Sequence, residues 1–276
     1  MKKSIVWLAS YPKSGNTWTR IFLANYLVNG DRPVPINQVH RFGMGDSIVK
    51  SYRIVAGRPI DAGDVRQTLA LRPRVLAAIV ANNADVNFVK THNIRGKAFG
   101  VTLIPEELTR SAIYILRNPL DMLISAARHF GKSHAEMAEA IGREDHSSVD
   151  PTTVTQFLGS WSGHVKSWTA KSRYPVLVLR YEDMLEHPEE AFGAMVAHVG
   201  MPVDAARLRK AIRFSSFDEL ARQESAGGFV ENSPKSPRFF NKGQSGQWRT
   251  ELAPEIVARV RRDHERMMRK YGYLDD

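Results

Sequence analysis

The chain has 276 residues, of which 43% are hydrophobic and 25% charged, a composition typical of a globular protein with a substantial core. It contains no cysteine, which excludes disulfides, thiolate metal sites and cysteine nucleophiles, and which agrees with a cytoplasmic location. The formal net charge of +10 favours anionic partners. No apolar run approaches the roughly 18 residues that would span a bilayer, so we expect neither an export signal nor stable membrane insertion. We also find no nucleic-acid-binding module.

The first predicted elements enclose a loop suited to an anion. Residues 5–8 are an apolar run typical of a buried strand, and residues 18–28 carry apolar side chains at helical spacing. A strand, a tight loop and a helix direct backbone N–H groups and the positive helix end toward a bound anion. In this loop Lys13 adds a cation, and Ser14 and Thr17 add hydroxyl groups. The pattern predicts a P-loop-like phosphate-binding turn after the first strand, although an ordinary strand-to-helix turn is an alternative.

The turn differs from a Walker A loop. That motif needs a glycine, four residues and then Gly-Lys-Ser/Thr, whereas here Lys13 precedes Gly15 and no glycine lies upstream in the loop. We therefore expect a nucleotide that is held by a different arrangement.

Strand and helix patterns alternate along the rest of the chain. Short apolar runs predict further strands at residues 86–89, 112–116 and 176–179. Helical spacing predicts helices at residues 72–82, 119–130, 153–171, 188–199 and 254–271. The alternation predicts an α/β fold, with a mainly parallel central sheet flanked by helices, in a single domain over residues 1–276. Three segments are predicted to be irregular, namely residues 30–58, 131–151 and 226–246.

A second anion-binding motif follows the third predicted strand. That strand ends in Arg117, a helix begins at Pro119, and Ser125 lies two turns into the helix. Arginine directs two N–H donors onto one phosphate, and Ser125 adds a hydroxyl if both face the same ligand. Because ligands of parallel sheets lie beyond the carboxyl ends of the strands, Lys13, His92 and Arg117 are expected at one edge. Two anion sites at that edge predict a ligand with two separate phosphates.

These motifs, in their order along the chain, resemble those of the sulfotransferase family that uses 3′-phosphoadenosine-5′-phosphosulfate (PAPS). The resemblance spans nearly the whole chain. It rests on Tyr11-Pro12-Lys13-Ser14-Gly15-Asn16-Thr17-Trp18, Lys90-Thr91-His92, Arg117-Asn118-Pro119 with Asp121 and Ser125, Tyr181-Glu182-Asp183, Ser215-Ser216-Phe217, and Asn241-Lys242-Gly243 with Gly246 and Trp248. The resemblance implies in-line transfer of a sulfuryl group to a hydroxyl or amine of a small-molecule acceptor. The other product is 3′-phosphoadenosine-5′-phosphate (PAP), and no metal is required.

The resemblance also implies roles for individual residues. His92 is the general base, and Lys13 and Lys90 stabilise the charge that develops as the sulfuryl group leaves. The turn residues Ser14, Gly15, Asn16 and Thr17 surround the 5′-phosphate. Trp18 and Phe217 enclose the adenine, and Tyr181 reaches an adenine nitrogen. The implied nucleotide-binding set is completed by Arg117, Ser125, Ser215, Asn241, Lys242 and Gly243.

Three positions depart from the family pattern. Asn16 stands in place of threonine, Asn241 in place of the arginine at the 3′-phosphate, and Gln247 in place of aspartate. Loss of the arginine leaves 3′-phosphate binding more dependent on Arg117 and Lys242. The family's dimerisation signature is not evident after Trp248, so the oligomeric state stays open.

Alternative interpretations stay open for three tryptophan residues and for the function of the protein. Trp18 is as well explained by core packing as by adenine stacking, and for Trp161 and Trp168 core packing is the better explanation. A P-loop kinase is one alternative function, since residues 176–179 followed by Glu182 and Asp183 resemble a Walker B strand. A non-enzymatic polyanion-binding protein is another. The acceptor itself is not predicted, although residues 30–58, 131–151 and 226–238 are expected to line its pocket.

Overall fold

A computed structural model describes residues 2–274 of the chain. The strands are β1 (Ile5–Ser10), β2 (Met44–Gly45), β3 (Asn87–Thr91), β4 (Lys97–Ala98), β5 (Val101–Thr102), β6 (Thr109–Leu116), β7 (Ser147–Ser148), β8 (Gln156–Phe157) and β9 (Val176–Arg180). The helices are α1 (Asn16–Val28), α2 (Val49–Ala56), α3 (Val65–Val80), α4 (Pro119–Phe130), α5 (His134–Gly142), α6 (Trp161–Thr169), α7 (Tyr181–Glu186), α8 (Pro188–His198), α9 (Ala205–Phe214), α10 (Phe217–Gly227), α11 (Trp248–Glu251) and α12 (Pro254–Lys270), with a 3-10 helix at Ile36–Arg41.

A five-stranded sheet with the order β2-β3-β1-β6-β9 forms the centre of the molecule. Every neighbouring pair in this sheet is parallel. All six residues of β1, the middle strand, are buried. A strand buried on both faces is typical of a parallel sheet covered by helices on each side. The predicted α/β class with a central parallel sheet is confirmed.

Alternate residues of β1 enter two different cores. Ile5, Trp7 and Ala9 pack into the larger cluster, which also contains side chains of α3, α4, α6 and α12. Val6 and Leu8 pack into a second cluster with side chains of α1 and α8. The alternation follows from the two-residue period of a strand. Trp161 and Trp168 are fully buried in the larger cluster, which confirms that they are core residues.

Two of the predicted helices begin at different residues in the structure. The predicted helix at residues 153–171 is shorter in the structure, because residues 156–157 form β8 and Ser160 caps α6 by accepting the Gly163 N–H. By contrast, α3 begins seven residues before the predicted start, at Val65, where Asp64 accepts the Gln67 N–H. The predictions at residues 119–130 and 254–271 match α4 and α12 to within one residue.

Two of the segments predicted to be irregular contain regular structure. Residues 30–58 include the 3-10 helix, β2 and α2, and residues 131–151 include α5, which begins with a capping box between Ser133 and Glu136. Between α10 and α11, residues 228–247 carry neither helix nor strand, as predicted. No helix within residues 2–274 combines the length and apolar character required to cross a membrane.

Candidate active site

A cavity of about 920 Å³ opens at the carboxyl edge of the sheet. Four strands contribute to its wall: Lys13 follows β1, Lys90 lies in β3 with His92 directly after it, Arg117 follows β6, and Tyr181 follows β9. Because β3, β1, β6 and β9 are consecutive in the sheet, these side chains come from adjacent strand ends. The sheet order therefore places both predicted anion motifs around one space.

The turn between β1 and α1 is held by the side chain of Asn16. Its amide donates to the carbonyl of Leu8 at 2.7 Å and to the Ser10 hydroxyl at 3.4 Å, which folds the turn back onto the strand. Gly15 precedes α1 with a φ of 108°, and no side chain caps the first turn of the helix. A Cβ at Gly15 would lie 2.8 Å from the Tyr181 ring, so only glycine permits this approach. The uncapped N–H groups of α1 are left for an anion.

Lys13 extends from a strained position in the same turn. Its φ is 65°, and its Nζ lies 3.6 Å from the centre of the Phe239 ring. Its carbonyl accepts a hydrogen bond of 3.0 Å from Arg117. Burial, together with repulsion from Lys90 and Arg117, lowers the pKa of Lys13 to about 7. A bound anion beside this amine would restore its charge.

The ring of His92 is fixed in one tautomer. Nδ1 lies 2.8 Å from the Ser10 carbonyl oxygen, which only accepts hydrogen bonds, so Nδ1 carries the proton. The other nitrogen, Nε2, then has a free lone pair. Burial and the neighbouring Lys90 ammonium hold the pKa of His92 well below its ordinary value. A neutral imidazole with a free lone pair at the cavity is suited to accept a proton.

Glu231, in the segment between α10 and α11, brings a carboxylate into the cavity that was not predicted. Its two oxygens accept hydrogen bonds of 2.9 and 2.6 Å from the buried Arg20, and Thr17 donates to it at 3.2 Å. Although burial opposes ionisation, Lys90 and Arg20 hold the pKa of Glu231 well below its ordinary value. The hydroxyl of Thr17, predicted to contact the 5′-phosphate, is therefore engaged by Glu231 in this structure.

Arg117 lies at the centre of the second anion motif. It donates to the carbonyls of Lys13 at 3.0 Å and Gln244 at 3.4 Å, and its guanidinium lies 4.3 Å from the centre of the Tyr181 ring. Its Nε is buried without a partner among the described residues. Four other predicted nucleotide-binding residues line the same cavity, namely Ser125, Asn241, Lys242 and Gly243. The motif is thus preorganised and retains an unused donor.

Trp18 packs in the protein interior and also reaches the cavity. Its indole N–H donates to the Ser215 carbonyl at 2.8 Å, and its ring packs edge-on against Phe192 and Tyr181 with centroids 5.2 and 5.7 Å apart. It also lines the cavity, together with Phe217. Packing and exposure to the cavity are therefore compatible at this position.

Two predicted residues do not line the cavity. Ser215 is fully buried, and its hydroxyl donates to the Ala211 carbonyl at 2.8 Å, so its predicted part in nucleotide binding stays a prediction. The carbonyl of Ser215 positions Trp18. The hydroxyl of Ser14 is buried and has no partner among the described residues. All the other predicted site residues line the cavity: Lys13, Gly15, Asn16, Thr17, Trp18, Lys90, His92, Arg117, Ser125, Tyr181, Phe217, Asn241, Lys242 and Gly243.

Several cavity residues besides Glu231 were missed. Arg128 follows Ser125 by one helical turn on α4 and shares the Glu251 carboxylate with Lys242, at 3.4 and 2.5 Å. The three-residue spacing between Ser125 and Arg128, which places both on one face of a helix, was the sequence feature that could have identified Arg128. His129 also lines the cavity, and burial followed by repulsion from Lys13 lowers its pKa to about 4. The buried Asp46 carried no recognisable pattern in the sequence.

The three segments expected to line the acceptor pocket all contribute to the cavity wall, through residues 45–48, 148–151 and 230–235. Among them, Ile48, Val149 and Val230 are exposed apolar side chains, while Asp46 and Ser47 are buried polar ones. This part of the cavity wall is thus mixed in character.

Comparisons with known proteins agree with this geometry. The family model described as "Sulfotransferase domain" matches residues 3–272. Sulfotransferase 1A1 of the dog, Canis lupus familiaris, is 26% identical over 96% of this chain and 83% of its own length. Cytosolic sulfotransferase 12 of Arabidopsis thaliana is 23% identical over 98% of this chain and 79% of its own length.

A solved structure shares the fold. The crystal structure of retinol dehydratase, in complex with androsterone and inactive cofactor PAP, superposes with a TM-score of 0.68 at 16% identity. The match covers 97% of this chain and 81% of that one. Since the family model covers almost the whole sequence, the protein belongs to the sulfotransferase family.

Proposed function

We propose that this sulfotransferase transfers a sulfuryl group from PAPS to a hydroxyl or amine of a small acceptor and releases PAP. One observation carries the proposal: Lys13, Lys90, His92 and Arg117 come from adjacent strand ends and line a single cavity. The structurally similar retinol dehydratase was crystallised with PAP. We extend the proposal to residues 1–276 as one domain and to a cytoplasmic location, in line with the name of the Arabidopsis relative.

The cavity has the features that a bis-phosphorylated adenosine requires. The uncapped start of α1 offers N–H groups, and Ser14 Oγ and Arg117 Nε are buried donors without partners among residues 2–274. Trp18 and Phe217 supply aromatic surface for a base. In the proposal the turn after β1 holds the 5′-phosphosulfate, and Arg117 with Ser125 and Lys242 holds the 3′-phosphate.

The catalytic residues then promote a single displacement at the sulfur atom of PAPS. The acceptor oxygen or nitrogen forms a bond to sulfur while the bond from sulfur to the nucleotide phosphate oxygen breaks. Nε2 of His92 takes the acceptor proton. Lys13 and Lys90 stabilise the charge that collects on the departing phosphate, which is the kind of interaction that lowers a barrier most.

Replacement of His92 tests the base assignment. We expect His92→Ala to lower transfer of label from PAPS by about 10²- to 10⁴-fold, the usual contribution of a general base. PAP binding should be unchanged, because His92 contacts the acceptor side. The exposed His40 provides the control variant His40→Ala. Near-normal turnover of His92→Ala would show that another group accepts the proton.

A panel of acceptors identifies the substrate class. Labelled PAPS is offered with a phenol, an alkanol, a monosaccharide and a primary amine, and products are read by their mass shift. The assay is run with and without EDTA, because a P-loop kinase needs Mg²⁺ for phosphoryl transfer. In a parallel assay with ATP in place of PAPS, transfer of phosphate that EDTA abolishes, together with no sulfate transfer from PAPS, would contradict the proposal.

A further inference from the structure

A chain of hydrogen bonds connects the buried core to His92. The Tyr114 hydroxyl lies 3.0 Å from Nδ1 of His164, and Nε2 of His164 lies 3.1 Å from the carbonyl oxygen of His92. Since a carbonyl oxygen only accepts, His164 must carry its proton on Nε2, and its Nδ1 must accept from Tyr114. The direction of every bond in this chain is therefore determined, including that from His92 Nδ1 to the Ser10 carbonyl.

His164 and Tyr114 lie behind the cavity rather than in it. Both are fully buried, His164 on α6 and Tyr114 on β6, and neither contributes to the cavity wall. Trp168 stacks on Tyr114 with ring centroids 5.9 Å apart, and Tyr11 packs edge-on against His164 at 5.2 Å. Burial lowers the pKa of His164 to about 3, so this imidazole stays neutral. Neither residue can contact a ligand directly.

The residues on either side of His92 are held by separate contacts. Asp46 accepts hydrogen bonds from the Thr91 hydroxyl at 2.8 Å and from the Asn93 amide at 3.1 Å. The indole N–H of Trp168 donates to the Asn93 carbonyl at 3.0 Å. The flanking residues are thus held by contacts of their own, in addition to an interaction of His164 with the Asn93 backbone. The hydrogen bond from His164 Nε2 acts on the peptide of His92 itself.

We propose that His164 is a positioning residue for sulfuryl transfer, which holds the His92 carbonyl so that Nε2 of His92 faces the acceptor, while Tyr114 selects the tautomer of His164 that can do so. This inference rests on the proposed role of His92 as the base. A base displaced by about 1 Å loses on the order of 10²-fold in rate.

Two amide substitutions separate the two hydrogen bonds of His164. In His164→Gln the side-chain amide N–H reaches the former position of Nε2 and still donates to His92. In His164→Asn the amide oxygen takes the place of Nδ1 and still accepts from Tyr114, but no group reaches His92. The buried His264, which bonds to Ser162 at 2.9 Å, provides the matched control His264→Asn.

We expect kcat with the best acceptor of the panel to fall roughly 10- to 100-fold in His164→Asn and to stay within several-fold of wild type in His164→Gln. The acceptor KM and the PAP dissociation constant should stay near wild type in both, and His264→Asn should keep its kcat. Equal kcat values for the Gln and Asn variants, whether both retained or both lost, would overturn the proposal. So would a parallel loss of PAP binding in the Asn variant.

A measurement on the wild-type protein tests the proposal even if the variants fail to fold. Nitrogen-15 NMR of the histidine rings, assigned through their own backbone resonances, reports which nitrogen carries each proton. The proposal requires a proton on Nε2 of His164 and on Nδ1 of His92; a proton on Nδ1 of His164 would overturn it. Because this measurement needs neither PAPS nor acceptor, it stands even if the wild-type protein transfers no sulfate, which would refute the proposed function instead.

Discussion

At the scale of single residues, the charge of the site depends on whether an anion is present. Lys13, Lys90 and Arg117 line one cavity, and burial with mutual repulsion lowers the pKa of Lys13 to about 7. Such a lysine is only partly protonated at neutral pH. An anionic nucleotide would favour its charged form, so binding and protonation are coupled.

The coupling predicts a pH dependence for PAP. As the pH rises through the pKa of Lys13, the ammonium group of Lys13 loses its proton in the free protein. Binding of PAP must then be accompanied by the uptake of a proton from solution. We expect the PAP dissociation constant to rise about tenfold between about pH 7 and about pH 8.5. A tenfold change in affinity corresponds to a shift of roughly one unit in the pKa of Lys13 between the free and the bound protein. Calorimetry in buffers of different ionisation enthalpy measures the proton uptake directly.

Two variants assign the effect to Lys13. Lys13→Gln should bind PAP more weakly at neutral pH and show no further weakening at higher pH. Lys90→Gln removes a repulsive neighbour, so it should raise the pKa of Lys13 and move the proton uptake to higher pH without abolishing it. Uptake that persists in Lys13→Gln would mean that another group titrates.

At the scale of elements, the segment between α10 and α11 is joined to α1 by an ion pair and packs closely against α10. Glu231 pairs with the buried Arg20 on α1, and a Cβ at Gly243 would overlap the ring of Phe217. The segment therefore covers the site through specific contacts, although it contains no helix or strand.

Loss of the ion pair should destabilise the fold. Glu231→Gln leaves the guanidinium of Arg20 buried beside a neutral amide, and removal of one partner of a buried pair costs several kcal/mol. Because the Glu231 side chain is 27% exposed, we expect a smaller loss, about 2 kcal/mol, and a Tm lower by about 5 °C. Asp145→Asn, in an exposed pair with Arg143, is the control and should leave Tm unchanged. An unchanged Tm in Glu231→Gln would mean that water solvates Arg20 equally well.

The Gly243 contact should affect nucleotide binding. Gly243 has a φ of 61°, so Gly243→Ala brings both backbone strain, about 1 kcal/mol, and displacement of the Phe217 ring. Gly57 has a similar φ of 68° but nothing within 4 Å of an added Cβ, so Gly57→Ala isolates the strain. We expect both variants to lower Tm and only Gly243→Ala to weaken PAP binding, as measured by calorimetry. Equal PAP affinities would show that the ring does not contact the adenine.

At the scale of the whole molecule, the net charge of +10 raises the question of specificity. Some basic residues on the C-terminal helix, among them Arg262 and Arg269, form ion pairs with Asp263 and Glu265 on the same helix. The cations that line the cavity are instead gathered by the ends of separate strands. We therefore expect selective binding of the nucleotide.

Thermal unfolding with added ligand distinguishes a nucleotide site from general polyanion binding. PAP at about 100 times its dissociation constant should stabilise the fold by about 2.7 kcal/mol and raise Tm by at least about 5 °C. The shift should persist in about 0.3 M NaCl, whereas binding driven by counterion release is largely lost there. Heparin serves as the comparison ligand. A PAP shift that disappears with salt as the heparin shift does would favour a polyanion-binding protein.

The linear sequence by itself determined the α/β class, the position of α4 and α12, and the residues of both anion motifs. Each of these is encoded locally: buried parallel strands need apolar runs, Pro119 and Pro254 begin helices, and the predicted phosphate turn has its lysine and glycine within a few residues of each other. Such signals are complete within about ten residues and so can be recognised without the fold.

Only the tertiary structure decided how Glu231, Arg128, Asp46 and His164 relate to the site. Glu231 meets Arg20 across more than 200 positions of the chain, and His164 meets His92 across 72. The burial of Ser215 was not predicted for the same reason, because it depends on the packing of α9. Contacts of this kind depend on strand order and helix packing, which bring distant residues together, and no local pattern of side chains encodes them.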